Sequence, residues 1–333
     1  MPQPAGAGSP ATEERIAPDP PPLGRQGPAT CLALIGLVWF VICVDVVVRW
    51  VASGEEFTPA PRVGPDVMAD WRLVALRIFE VISIAVMAMF VWYCVIKPLR
   101  TTGKLSLDGK FVIGGIVCFV ADAFLNVQHY LFAWNSANVN RGVWVRFLPF
   151  HNADAPSRYA ESLLWGPPMY IYFCAGVAIV ACHEATRIRR RWPAISKFRL
   201  FVLIFVAEFV FDFVVENAVI RATHAYAFAK TYEPLTLWPG EIHQFPIYES
   251  ILVATVGCVF TWARMEAGER PEGESPIEVG SERWRPSLRP HVRNLAVLGF
   301  CVVTLVFVYH LPFNWLGLIG TSYADLPTYL LPG

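Results

Sequence analysis

The sequence predicts an all-α polytopic membrane bundle with about seven transmembrane helices. Hydrophobic residues make up 55% of the 333 residues and charged residues only 16%. Apolar runs recur along the chain, each about as long as the roughly 20 residues that a helical span requires. A soluble domain is about one quarter charged, so a soluble globular class is excluded. The basic clusters are short and lie between apolar runs, which excludes nucleic-acid binding.

Three regions follow from the distribution of these runs. Residues 1–28 are rich in Pro, Gly and Ala and predict a disordered tail without a secretory signal. A seven-helix domain occupies 29–312, and 313–333 form a short C-terminal extension. The predicted spans are 30–51, 72–96, 111–133, 164–185, 198–220, 246–264 and 292–312.

Alternate links between the spans are rich in Lys and Arg. The links after spans 2, 4 and 6 carry basic clusters, whereas 52–71, 134–163 and 221–245 carry fewer basic residues, balanced by acids. Basic links stay in the cytoplasm. We therefore predict a cytoplasmic N-terminus and an outer C-terminus.

The fifth span carries Glu208, Asp212 and Glu216 at i, i+4 and i+8, which places three acids in one stripe of a helix. Carboxylates are costly in hydrocarbon, so the stripe should face a cavity. Few intramembrane cations are present, and we expect some acids to hold a proton near neutral pH. A protonated carboxyl beside an ionised one suits acid–base catalysis. The alternative is a structural ion pair with a proton relay.

The third span carries Asp122, Asn126 and His129 at i, i+4 and i+7, one face of a helix. Hydrogen bonding between helices is the plain interpretation of the Asn and the His. An acid is a costly choice for that purpose, so Asp122 is a candidate catalytic residue. We expect Asn126 and His129 to contact a substrate.

Polar residues of several spans lie at one depth in this topology. Asp45, Glu80, Asp122, Asp212 and Glu249 all fall in the outer half. We infer one pocket that opens towards the outer face.

Two outer loops, 134–144 and 238–246, are dense in aromatic and polar side chains. Turn chemistry and an interfacial aromatic belt are the plain interpretation, and a lid over the pocket is the alternative. The eight cysteines have no paired spacing and predict buried thiols. His224 and His243 lack a specific metal-ligand spacing, so no metal site is predicted.

At these residues the sequence resembles the AveC-like family of membrane spirocyclases from actinobacterial polyketide pathways. The resemblance spans roughly 110–260. It is carried by Asp122-x3-Asn126, the loop Trp134-Asn135 to Asn140-Arg-Gly-Val-Trp144, Phe211-Asp212-x3-Glu216 with Arg221 and Tyr226, and Gln244-Phe-Pro246-x-Tyr248-Glu249. The family commonly has Asp-Pro and Tyr-Asn where this chain has Asp122-Ala123 and Trp134-Asn135, which allows a divergent substrate.

The resemblance implies acid-catalysed, cofactor-free closure of a dihydroxy-ketone polyketide into a spiroketal, in the plasma membrane of a bacterium. Some members also dehydrate the product ring. Our hypothesis gives the acid–base and electrostatic roles to Asp122, Asp212 and Glu216. The candidate residues for binding a lipophilic polyketide-type molecule are Asn126, His129, Asn135, Asn140, Trp144, Arg221, Tyr226, Tyr248 and Glu249.

Two other classes of function stay open. A proton-coupled transporter or exporter of a lipophilic metabolite would use the carboxylates as a relay, although no inverted repeat or broken helix pair is visible. A structural membrane partner of a biosynthetic complex would tolerate loss of the acids one at a time. The sequence specifies no oligomeric state.

Overall fold

The chain is mostly helical, as predicted. The computed structural model describes residues 27–269 and 274–333, so the predicted tail lies outside the described residues up to residue 26. The long helical segments, labelled in chain order, are α1 Ala29–Ala52, α2 Asp70–Thr102, α3 Leu107–Cys118, α4 Gly166–Arg191, α5 Lys197–Thr223, α6 Ile247–Glu269 and α7 Arg289–Leu318.

Five of these helices are long and apolar enough to cross a membrane, namely α1, α2, α4, α6 and α7. The other two, α3 and α5, lack one of these properties each: α3 lacks the length, and α5 lacks the uniformly apolar composition. The α3 helix has only 12 residues. The α5 helix has 27 residues but carries three carboxyl groups within its apolar stretch. Helices that can span a bilayer are therefore present, and seven spans stay a prediction.

The third predicted span is α-helical over only part of its length. After α3 the chain continues as a 3-10 helix over Phe119–Asn126, and Phe132–Trp134 is a β-strand. The Asn126 Oδ1 accepts the backbone N–H groups five and six residues further along, at 2.9 Å each, and so turns the chain out of the helix. The predicted helix through residue 133 is wrong, and His129 does not share a helical face with Asp122.

One end of the bundle collects the links that carry few basic residues. This loop end comprises residues 53–69, 127–165, 224–246 and 319–333. Three two-stranded antiparallel sheets connect its segments. They pair β1 Phe132–Trp134 with β2 Tyr226–Phe228, β3 Lys230–Thr231 with β6 Thr321–Ser322, and β4 Thr236–Leu237 with β5 Phe245–Pro246.

The basic end, comprising residues 97–110, 187–199, 264–269 and 274–293, is held by ion pairs between links. Arg264 binds the carboxylate of Asp108 through two nitrogens, at 2.7 and 2.9 Å. Arg189 binds Glu269 at 2.8 Å. The two sets of links therefore lie at different ends, as their charges predict, while the choice of the cytoplasmic end stays a prediction.

The residues after 312 are part of the loop end. The α7 helix runs on to Leu318, and strand β6 then pairs with β3. The Tyr329 hydroxyl is 2.8 Å from Nδ1 of His224. The predicted C-terminal extension thus packs on the links that surround the bundle.

Candidate active site

A cavity of about 300 Å³ lies between α2, α4, α5, α6, α7 and the 3-10 helix Phe119–Asn126. This volume is at the lower end for ligand pockets. Phe132, Trp165 and Tyr226 close it on the side of the loop end, and most of its wall is apolar. The polar side chains of the wall are Ser83, Asp122, Tyr172, Asp212, Glu216, Tyr226, Glu249 and Tyr309.

Four carboxyl groups from three elements meet in this cavity. Asp212 and Glu216 lie one turn apart on α5, so both face the same side of that helix. Glu249 lies in the first turn of α6, directly after strand β5. Asp122 comes from the 3-10 helix that follows α3. The cavity therefore combines a mostly apolar wall with several acids.

Two tyrosines hold two of these acids. The Tyr226 hydroxyl donates to Oε1 of Glu216 at 2.5 Å, and the Tyr309 hydroxyl donates to Oε1 of Glu249 at 2.6 Å. The second oxygen of each glutamate, Oε2, is buried and has no hydrogen-bond partner within the described residues. Burial and then the Glu216 carboxyl raise the pKa of Tyr226 well above its usual range, so this phenol remains a donor.

The two aspartates have fewer partners. Asp212 lies beside the hydroxyl of Ser250, and its Oδ2 has no hydrogen-bond partner in the described part of the chain. Asp122 is 2% exposed, and neither of its carboxyl oxygens accepts a hydrogen bond from an N–H or O–H group there. Its carboxyl lies against that of Glu161 and against the Tyr170 hydroxyl. Unpartnered polar atoms in a dry cavity are available to a ligand.

None of the described residues that line the cavity is a lysine, an arginine or a histidine. Across residues 27–269 and 274–333, every ion pair that the structure forms lies outside the cavity. Glu80 shows the usual arrangement for a buried acid: it is 1% exposed, binds Arg77, and accepts the Val139 N–H at 2.9 Å. A buried carboxylate without such partners is costly, so the cavity favours carboxyl groups that carry a proton.

The cavity opens sideways, between α2 and α5. Ile82 and Val86 of α2 line the cavity and are 55% and 37% exposed. Phe211 and Val215 of α5 line it from the opposite side and are 50% and 42% exposed. All four side chains are apolar and belong to the middle of long apolar helices. The mouth therefore faces the surface that lipid would cover.

Irregular turns shape the inner wall. The α4 helix contains a π-helical stretch over Tyr172–Gly176, and α7 contains one over Leu305–His310. Such wide turns re-aim side chains and are frequent at functional sites. The first stretch presents Tyr172 and Phe173 to the cavity, and the second presents Tyr309.

The family described as spirocyclase AveC-like matches residues 102–328. The chain belongs to this family. No curated protein and no solved structure matches it. The match confirms the resemblance drawn from the sequence motifs and extends past them to include all of α7, with Tyr309. It begins at the last residue of α2, so the AveC-like region holds every cavity acid but not the α2 side of the mouth.

Of the predicted site residues in this AveC-like chain, five line the cavity: Asp122, Asp212, Glu216, Tyr226 and Glu249. The other seven lie elsewhere. They are Asn126, His129, Asn135, Asn140, Trp144, Arg221 and Tyr248. Direct substrate contact by these seven has no support in the geometry.

The three asparagines among these seven hold the backbone of the loop end. Asn126 turns the chain after the 3-10 helix, as described above. Asn135 Nδ2 donates to the carbonyl of His224 at 2.7 Å. Asn140 Oδ1 accepts the Ala60 N–H at 2.8 Å. The amides that the loop supplies are therefore used within the loop end, and their contact with a substrate stays a prediction.

The remaining four also have local partners or lie away from the cavity. Trp144 Nε1 donates to the carbonyl of Val120 at 2.8 Å. The Arg221 guanidinium lies 4.4 Å from the ring centroid of Trp238. The Tyr248 hydroxyl accepts the N–H of residue 232 at 3.3 Å. His129 is half-buried in the loop end.

Loop 134–144 positions Trp165, which lines the cavity. The ring of Trp134 stacks on that of Trp165 at 4.6 Å, and Asn138 Oδ1 accepts the Trp165 Nε1–H at 3.1 Å. His224 is buried in the same loop end, where burial and then Arg72 lower its pKa to about 4. This histidine is neutral at pH 7.

Three other acids of the predicted spans lie outside the cavity, two of them expected in the outer half and the third, Glu208, deeper. Asp45 is paired with Arg49 on the exposed side of helix α1, away from the bundle interior. Glu80 anchors loop 134–144. Glu208, one turn before Asp212, lies against Gly257 of α6. The predicted meeting of acids in one pocket is therefore found for the third, fifth and sixth predicted spans. It is wrong for the acids of the first two spans.

Sequence reasoning missed Tyr309, Trp165 and Glu161. A Tyr-His pair inside the apolar run of α7 is a signal that could have revealed Tyr309. Glu161 is a single acid in a loop, and no spacing rule distinguishes it. Among the described residues, no three His, Cys, Asp or Glu side chains are grouped so that they could hold a metal ion.

Proposed function

We propose that this protein is a membrane-embedded spirocyclase. It converts a lipophilic dihydroxy-ketone of polyketide type into a spiroketal with loss of one water, and it uses carboxyl groups without a cofactor. The observation that carries the proposal is a set of four carboxyl groups around an apolar cavity, none of which has a lysine or arginine partner among the described residues. Family membership supports the reaction class.

The reaction begins when one hydroxyl of the substrate adds to its ketone and forms a hemiketal. A protonated carboxyl then gives its proton to the hemiketal hydroxyl, the carbon–oxygen bond breaks, and water leaves. The oxocarbenium ion that remains is stabilised by the carboxylate just formed. The second hydroxyl attacks the same carbon and returns a proton to that carboxylate, so the protein ends as it began.

Asp122, Asp212 and Glu216 are the acid–base candidates, since each brings a carboxyl oxygen without a partner to the cavity. Glu249 is a fourth such group. Tyr226 and Tyr309 hold the two glutamates at fixed positions, which allows the pocket to select one face of the oxocarbenium ion. The apolar wall keeps other water away from that ion.

The mouth between α2 and α5 offers a path from the bilayer. A dihydroxy-ketone with long apolar arms partitions into lipid. Its reacting centre can enter between Ile82 and Val215 while the arms stay in hydrocarbon. The small cavity then encloses only the part of the molecule that reacts.

The test is a membrane assay with a synthetic dihydroxy-ketone, analysed by chiral chromatography. Wild-type membranes should enrich one spiroketal isomer over the mixture that forms spontaneously. Asp212→Asn should reduce that enrichment by about 100-fold, the scale of general acid–base catalysis. Glu208→Gln is the matched control, because it changes an acid one turn away that does not line the cavity.

Full enrichment by Asp212→Asn and by Glu216→Gln would overturn the assignment of these acids. An isomer mixture unchanged by wild-type membranes would overturn the spirocyclase proposal itself. Gradient-dependent movement of the compound without a change in its structure would then favour the transporter alternative.

A further inference from the structure

The carboxyl group of Glu161 lies directly behind the cavity wall. This residue is in the loop that precedes α4, is 0% exposed, and does not line the cavity. Its carboxyl is within hydrogen-bonding reach of the Asp122 carboxyl, which does line the cavity. Asp122 therefore stands between Glu161 and the substrate position.

Two ionised carboxylates cannot bind each other, because each is only an acceptor and their charges repel. No oxygen of Asp122 or Glu161 accepts a hydrogen bond from an N–H or O–H donor in the described ranges. The Tyr170 hydroxyl lies against the Asp122 carboxyl and is also 2.6 Å from Nε2 of His310. Asp122 and Glu161 still need a donor between their own two carboxyl groups. A proton on one of the two acids is therefore the donor that can join them.

An ordinary structural role does not account for Glu161. Glu80 is buried to the same degree, and it has both an arginine and a backbone N–H as partners. Glu161 has no lysine or arginine within ion-pairing distance among the described residues. An acid kept in that state is stable in its neutral form.

Once Asp122 has given up a proton, the proton that remains in the pair belongs on the inner member, Glu161. Asp122 borders the cavity, where a bound hydroxyl or water can stabilise its negative charge. Glu161 has no such access. Burial and then the neighbouring Asp122 raise the pKa of Glu161 well above its usual range.

We propose that Glu161 is a permanently protonated positioning residue whose O–H donates a hydrogen bond to the Asp122 carboxyl. The inference rests on the proposed function and specifies one proton within it. Before turnover both acids hold a proton. Asp122 gives its own proton to the hemiketal hydroxyl, which leaves as water, and the resulting Asp122 carboxylate is held by the Glu161 O–H. Attack by the second hydroxyl returns a proton to Asp122, and Glu161 keeps its own proton throughout.

Infrared spectroscopy of the full-length protein in membranes tests the protonation state without any turnover. At pH 7, Glu161→Gln should remove a carbonyl band of a protonated carboxylic acid from the spectrum. Asp108→Asn is the control and should remove a carboxylate band, because Asp108 is bound by Arg264. Asp122→Asn should shift the Glu161 band, since it changes the acceptor of the proposed hydrogen bond. Loss of a carboxylate band in Glu161→Gln would overturn the proposal.

Turnover provides the second readout. Glu161→Gln keeps an N–H donor and should retain at least one third of the wild-type isomer enrichment rate. Glu161→Leu removes the donor and should lower that rate at least tenfold. Equal losses in the two variants would show that Glu161 transfers its proton and would overturn the proposal. If Glu161→Leu does not fold, the infrared spectra and Glu161→Gln decide alone.

These experiments separate the two proposals. Absence of enrichment by wild-type membranes would defeat the spirocyclase reaction. The infrared result would still support or overturn the protonated Glu161.

Discussion

Buried acids occur in two settings in this molecule, and the difference lies in their partners. In the first setting, each acid has a cation: Glu56 binds Arg146 at 2.8 Å, Glu80 binds Arg77, and Glu278 binds Lys110. In the second setting, around the cavity and behind it, no acid has a lysine or arginine partner in the part of the chain that the structure describes. The same residue type therefore serves two purposes.

The comparison distinguishes buried acids that stabilise the fold from buried acids that we propose for catalysis. A buried acid with a cation is ionised and fixes one link to another. A buried acid without a cation lies beside a hydroxyl or another acid, and the acids that line the cavity are the ones that we propose for proton transfer. Burial alone did not distinguish the two groups, since Glu80 and Asp122 are both almost fully enclosed.

Adding a cation to the cavity should have the largest effect. Ser83 lines the same cavity as the acids, on its α2 side. In Ser83→Lys, the ammonium should ionise a neighbouring carboxyl and lower the isomer enrichment rate by about 100-fold, the scale of lost general acid catalysis. Ser83→Met has similar length without charge and should lose far less. Equal losses would show that the volume of the side chain matters and its charge does not.

Removing a cation from the first setting should affect stability more than activity. Arg77→Met leaves Glu80 buried without its ion-pair partner and should lower the free energy of unfolding by about 2 kcal/mol, less than for a fully buried pair because Arg77 is partly exposed. Thermal unfolding in detergent measures the loss, and activity per folded molecule should stay within twofold of wild type. The double variant with Glu80→Gln should recover part of that stability. A large loss of activity per folded molecule would contradict the separation.

Blocking the mouth should have a smaller effect on rate. Val215→Trp narrows the gap between α2 and α5 and should slow turnover of a long-chain substrate about fivefold, roughly 1 kcal/mol, while a short-chain analogue is affected less. Val214→Trp is the matched control, since Val214 is exposed but does not line the cavity. Identical kinetics for both variants would argue against access from lipid at this position.

The smallest effect is expected in the pH dependence of stability. The pKa of Glu161 is raised in the folded protein, whereas an unfolded Glu titrates near about 4.3. The unfolded state therefore loses this proton first as pH rises, and the folded state becomes relatively less stable. Glu161→Gln removes that penalty. The midpoint of thermal unfolding of the variant should therefore rise relative to that of wild type as the pH increases from 5 to 8. A constant difference over that range would contradict a protonated Glu161.

The sequence predicted the helical class and the acids of α5 well, because both depend on local patterns. The apolar runs match the observed helices within a few residues, apart from the third. The four-residue spacing places Asp212 and Glu216 together on any helix. Asp122 and Glu249 were also located correctly by their position along apolar runs.

The predicted site residues that lie away from the cavity, and the contacts that the sequence did not reveal, share a physical explanation. Asn126 and Asn140 looked like ligands by composition, but polar side chains in loops first satisfy backbone groups nearby. The helix break after residue 126 depends on the side-chain amide of Asn126, and the periodicity of the sequence does not reveal it. Glu161 reaches Asp122 only because the chain folds back from the loop end, and such a contact is not encoded at any fixed spacing.

The α2 wall has a consequence for how this family can change. Among the five helices suited to crossing a membrane, α2 is the least buried. All of α2 except its last residue precedes the residues that match the family. One side of the mouth is therefore carried by a peripheral helix, and the acids by the common region. If α2 selects the substrate at the mouth, a chimaera that exchanges α2 between two relatives should exchange their substrate range.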